Sequence, residues 1–143
     1  MSLSRQSIVR GAAIVGAQRK RLAFGVVVLI LGVSSVALAA GRVAGTYRTT
    51  ITSPAELKGK WVLTLANGGT YTVALNGGTV ARGRYSATAT SITFGRETGS
   101  GCAGSGTYAW KKSEKTMRFI RKREHPTCQG RATVLAHRFT RGR

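Results

Sequence analysis

The sequence predicts an all-β fold, an up-and-down antiparallel barrel of eight strands, preceded by an N-terminal signal or anchor helix. Three observations lead there. From Gly45 onward apolar residues alternate with polar ones at period two. Glycine-rich turns interrupt that alternation roughly every eight to twelve residues, and no helical spacing is visible among the segments. Strands joined in sequence by short turns close most economically into a barrel, which removes exposed edges; a two-sheet sandwich is the alternative.

The elements follow in chain order. Residues 1–40 are read as a signal peptide or membrane anchor and 41–143 as the barrel domain. Arg19, Lys20 and Arg21 precede the uncharged run "LAFGVVVLILGVSSVALAA" at residues 22–40, and Ala37 and Ala39 put small residues where a signal peptidase reads. The run is also about long enough to span a bilayer uncleaved, so both fates stay open. Either way the basic flank remains in the cytoplasm and the domain is secreted or otherwise extracytoplasmic.

Tyr47, Thr49 and Ile51 share one face of the first strand, which Pro54 terminates because proline cannot join a ladder interior. Trp61, Leu63 and Leu65 share a face of the second, and Tyr71, Val73 and Leu75 of the third. "NGGT" occurs at 67–70 and again at 76–79, and Asn-Gly supplies the positive φ angles of tight hairpins. Further strands are expected at 80–86, 91–94, 106–111, 116–121 and 132–140. Their inward residues are Ile92 and Phe94, Tyr108 and Trp110, Met117 and Phe119, then Thr133, Leu135, His137 and Phe139.

The chain has 143 residues, 23 Lys and Arg against 4 acidic residues, and a formal net charge of +19. Arg5, Arg10, Arg19, Lys20 and Arg21 precede the apolar run; the other basic residues share the domain with Glu56, Glu97, Glu114 and Glu124. Such a surface attracts anionic polymers and lipid through summed Coulomb forces that salt weakens. The densest stretch is a hairpin carrying Lys111, Lys112, Lys115, Arg118, Arg121, Lys122 and Arg123. Met117 and Phe119 are expected inside, Arg118 and Lys122 outside; Arg121 is out of step and marks the barrel end or a bend. This stripe is a candidate anion-binding surface, or simply a solvated hairpin that discourages edge pairing.

Both cysteines, Cys102 and Cys128, flank that hairpin. In an exported domain of about a hundred residues a pair of cysteines is expected to be bonded. Closing the loop is worth roughly 3 to 4 kcal/mol on the chain-entropy account, enough to hold a self-repelling hairpin.

"LKGKW" at 57–61, together with "GRYSATATSITF", "GTYAW" and the closing "HRFTR", resembles lipocalins and their calycin relatives, in particular small exported bacterial lipocalin-like domains. The resemblance implies a calycin-like barrel with Gly59 and Trp61 as its signature, the tryptophan plugging one end and Arg138 or Arg141 stacking across it.

Catalysis finds little material. Four scattered glutamates and two histidines, His125 and His137, assemble neither an acid-base pair nor a nucleophile with its base. No catalytic residue, metal site or cofactor is expected. Tyr47, Tyr71, Tyr85, Tyr108 and Trp110 either fill the barrel or, with Tyr47, Tyr71, Tyr108 and Trp110 as the pocket candidates, line a cup for a flat ligand. The expected function is non-catalytic binding of a small apolar or aromatic molecule at the barrel mouth. The alternative is an envelope role, the basic face holding anionic polymers or a membrane surface; nucleic acid is not the expected partner, since export separates the chain from it.

Overall fold

The computed structural model describes residues 40–142, and the expected signal or anchor segment lies outside them save for Ala40. Eight antiparallel strands form a closed barrel in sequence order: β1 Gly45–Ile51, β2 Gly59–Leu65, β3 Thr70–Leu75, β4 Gly78–Ala87, β5 Ser91–Thr98, β6 Gly106–Lys112, β7 Thr116–Arg123 and β8 Phe139–Arg141. Closure is made by β8, where Tyr47 pairs Arg141 on one side and Met117 pairs Phe139 on the other. The sandwich is thereby excluded.

The two "NGGT" stretches make different turns. At the second, Asn76 (φ 51°) and Gly77 (φ 90°) are the two central residues of a hairpin closed by the pair Leu75 and Gly78, the backbone twist that matches the strands. At the first, Ala66–Gly69 form a longer loop in which the Gly69 N–H donates to the Ala66 carbonyl at 3.1 Å.

One expectation is overturned. The eighth strand does not run over 132–140: a helix α1, Gln129–Leu135, occupies its first half, and β8 is only three residues long. Cys128, Ala132 and Leu135 are buried at i, i+4 and i+7, one helical face, whereas strand alternation predicts Thr133 and Leu135 on the inward face. The β-branched Thr133 and Val134 favour extended backbone only weakly, and tertiary burial decides. The helix is led in by a turn of 3₁₀ helix at Pro126–Cys128, whose first residue needs no N–H.

Inside, the alternation holds. Tyr47, Ile51, Leu63, Leu65, Ile92, Met117 and Phe139 are all buried. Phe94 is the hub of an aromatic core, its ring centroid 5.1 Å from Tyr71 and 5.9 Å from both Tyr108 and Phe119, in edge-to-face geometries that suit the ring quadrupoles. One barrel end is closed by helical residues 40–43: Val43 is fully buried, and its carbonyl accepts from the Tyr47 hydroxyl at 2.7 Å. Tyr85 hydrogen-bonds the Ala66 carbonyl at that same end.

Gly59 has a local reason. Its φ is 148°, and a Cβ there would lie 2.6 Å from Leu75 Cδ1 and 2.8 Å from the Asn76 side chain. That side chain is fixed, since Asn76 Oδ1 accepts from the Lys60 N–H at 2.9 Å.

Candidate functional site

The opposite end of the barrel is neither filled nor purely apolar. A cavity of about 250 Å³ lies between Leu57, Trp61, Tyr71, Phe94 and Leu135, with Glu97 and Arg131 on its wall. The Trp61 indole N–H donates to the Leu57 carbonyl at 2.7 Å, which fixes the ring there.

Beside the cavity the barrel buries three charged side chains. Arg131, on α1, is 7% exposed, Glu97 3% and Glu124 2%. Arg131 grips Glu124 with two nitrogens, Nε to Oε2 at 3.1 Å and Nη2 to Oε1 at 2.5 Å, and reaches Glu97 Oε2 with Nη1 at 3.2 Å. Its Nη2 also donates to the Gly104 carbonyl at 2.9 Å. The Tyr71 hydroxyl donates to Glu97 Oε2 at 2.5 Å, and the Tyr108 hydroxyl donates to Glu124. Among the described residues no buried side-chain polar atom lacks a partner, as burial in a low-dielectric interior requires.

Both glutamates reach the interior through breaks in strand register. On β5, Ile92 and Phe94 face in, so alternation would send Glu97 out. But Gly95 pairs Arg84 and Thr98 pairs Arg82, leaving Arg96 (φ 50°) and Glu97 opposite the single Gly83. The extra residue shifts the phase and Glu97 turns inward. On β7, Tyr108 pairs Arg121 and Thr107 pairs Arg123, so Lys122 is unopposed and Glu124 comes inside by the same shift. The out-of-step Arg121 is thus the edge of a bulge, the second of its two expected explanations.

The network perturbs its members. Burial and then the hydrogen bond to a carboxylate push the Tyr71 and Tyr108 hydroxyls well above their ordinary pKa. For Glu124, burial alone would raise the value, yet hydrogen bonds from Arg131, Tyr108 and the His125 N–H outweigh it and hold the carboxyl below the usual range. A lowered folded pKa means that this contribution is fully present above the ordinary carboxylate pKa and is lost as pH falls through Glu124's lower one. Urea midpoints measured down an acid series are therefore expected to fall more steeply for the native chain than for Glu124→Gln.

Gly106 makes room for that carboxylate, because a Cβ there would overlap the Glu124 oxygens. Gly106→Ala is expected to cost about 1 to 3 kcal/mol by overpacking. Gly130→Ala, on α1 with open space around it, is the matched control and is expected to gain up to about 1 kcal/mol. Equal chemical-denaturation midpoints for the two variants would contradict the packing account.

The disulfide Cys102–Cys128 is formed, with the Cα atoms 4.8 Å apart, and it ties the β5–β6 loop to the start of α1 at the cavity rim. Of the four pocket candidates, Tyr71 is on the cavity wall. Tyr47 and Tyr108 are packed in the core, and Trp110 is half-buried with its indole N–H on the Thr88 carbonyl at 3.0 Å. Of the signature residues, Trp61 lines the cavity; Arg138 is exposed between α1 and β8, and the arginine on the wall with Trp61 is Arg131.

The basic hairpin is mostly outside. Lys111, Lys115, Arg118, Arg121, Lys122 and Arg123 are exposed. Lys112 turns away and donates to the Arg42 carbonyl at 2.7 Å, its pKa lowered by burial and by the positive charge of Arg141. Lys111 and Arg118 are directly opposed across the ladder, an arrangement that repels.

Sequence reasoning missed Glu97, Glu124 and Arg131. The one available trace was the broken alternation in "TMRFIRKRE". Comparison of the chain with protein-family models, curated proteins and solved structures finds no match.

Proposed function

We propose that this is an extracytoplasmic, non-catalytic binding protein that takes a small, largely apolar or aromatic molecule into the end of a calycin-like barrel. One observation carries the reading: a cavity of about 250 Å³ walled by Leu57, Trp61, Tyr71 and Phe94 in a barrel whose other end is packed shut. That space is a little under the roughly 300 to 1,000 Å³ of drug-sized sites, so the occupant is a single ring or a short chain. Trp61 reports on it. Titration with toluene or indole, followed by tryptophan fluorescence or by native mass spectrometry of protein recovered from the medium, is expected to show one saturable site. Ala81→Leu, which fills the cavity wall, is expected to abolish it. Absence of any saturable binding, or binding untouched by Ala81→Leu, would refute the reading.

A second reading has its own observation. Ile120 is 51% exposed, on a strand face with Arg118 and opposite β6 carrying Lys111. An apolar tip within a cationic surface suits an anionic membrane, where each basic residue near the surface contributes about 1 kcal/mol. Sedimentation with phosphatidylglycerol vesicles is expected, with release at moderate salt and loss when Arg118, Arg121, Lys122 and Arg123 are made neutral. Equal sedimentation with phosphatidylcholine would exclude this role.

A further inference from the structure

We propose that the cavity selects a ligand bearing a protonated amine, with Glu97 as the group that receives it. The inference rests on the reading of the cavity as a binding site and assigns the chemistry of its occupant.

Two carboxylates share one guanidinium, and the sharing is unequal. Arg131 spends Nε and Nη2 on Glu124 in a fork and gives Glu97 a single contact at 3.2 Å. Glu124 is therefore paired, and the surplus negative charge sits on Glu97. Of the two, Glu97 is the one on the cavity wall. A carboxylate held out of water with incomplete charge compensation is costly, and a cation entering the cavity would relieve that cost.

The lone pairs agree. Glu97 Oε2 already accepts from Tyr71 and Arg131, whereas Oε1 accepts only from the hydroxyl of Ser100, which is exposed and also borders the cavity. An ionised carboxylate offers about four acceptor sites, so Oε1 has room for an N–H donor. The Trp61, Tyr71 and Phe94 rings on the wall suit both an apolar body and, through their faces, a cation.

An anionic ligand finds no such welcome. The Arg131 nitrogens are committed to Glu124, Glu97 and Gly104, taking four of the five N–H groups, and among the described residues Arg131 is the only cationic side chain on the wall. A carboxylate in the cavity would face Glu97 with almost nothing to pair it.

The test uses three probes of nearly equal size at neutral pH: benzylamine, benzyl alcohol and benzoate, titrated against the intact chain by tryptophan fluorescence and calorimetry. Benzylamine is expected to bind about tenfold more tightly than the alcohol, the difference between a charge-assisted and a neutral hydrogen bond, and benzoate to bind least. Glu97→Gln is expected to bring amine and alcohol to nearly equal affinity. Should that variant not fold, Ser100→Ala, which frees Oε1 without touching the ion pairs, is expected to raise amine affinity about twofold relative to the alcohol. Equal affinities in the native chain, or an amine preference that survives Glu97→Gln, would overturn the assignment while leaving the cavity a binding site. Failure of all three probes together with toluene and indole would overturn the binding reading itself.

Discussion

Arg131→Met is expected to be the most damaging single substitution in the barrel, costing about 3 to 5 kcal/mol in guanidinium unfolding, because it leaves two buried carboxylates without their cation. The Glu97 and Glu124 side chains are 3% and 2% exposed, so water is a poor substitute for Arg131, above all at Glu124, which is not on the cavity wall. A further comparison separates charge from packing. Arg131→Met combined with Glu97→Gln and Glu124→Gln removes every ionised member at similar volume and is expected to recover a large part of the loss, since a buried ion network is more costly when broken than when replaced whole. A loss below about 1 kcal/mol for Arg131→Met, or no recovery in the triple variant, would show that the network contributes little.

Loss of the disulfide should come next in size. Cys102 and Cys128 are 26 positions apart in sequence, and a loop of that length is worth about 3 to 4 kcal/mol on the chain-entropy account. For a domain of about a hundred residues that corresponds to a fall in Tm of about 12 to 32 °C. The paired Cys102→Ala and Cys128→Ala variant, or the native chain under strong reductant, is the sample; calorimetry reads the shift. The location adds a local effect, because the bridge holds the Gly104 segment whose carbonyl accepts from Arg131. Probe binding in the cavity is expected to weaken in the reduced protein at temperatures where the fold persists. An unchanged Tm on reduction would contradict both parts.

The contrast between what could and could not be read beforehand follows from range of interaction. Strand positions were legible because alternation is a local property: each apolar residue at period two announces its own face, as at Trp61, Leu63 and Leu65. The Asn76-Gly77 turn was legible for the same reason, since the φ angles it needs belong to those two residues. The helix α1 was not, because seven residues are too few for a helical period to outweigh Thr133 and Val134. Arg121 carried a visible irregularity, yet its meaning depended on which residue of β6 it faced.

Sequence alone was sufficient for the all-β class, for the first seven strands and their order, for most of the inward aromatic set and for the expected joining of Cys102 to Cys128, all of which depend on patterns a few residues long or on the count of cysteines. Barrel closure and the short β8 came from the assembled structure. Only the assembled barrel decided that Glu97, Glu124 and Arg131 would leave water together and stand beside a cavity. A charged side chain reads as surface until its partners, here drawn from β5, β7 and α1, are brought within hydrogen-bonding distance, and that convergence is set by bulges and closure rather than by any neighbour in the chain.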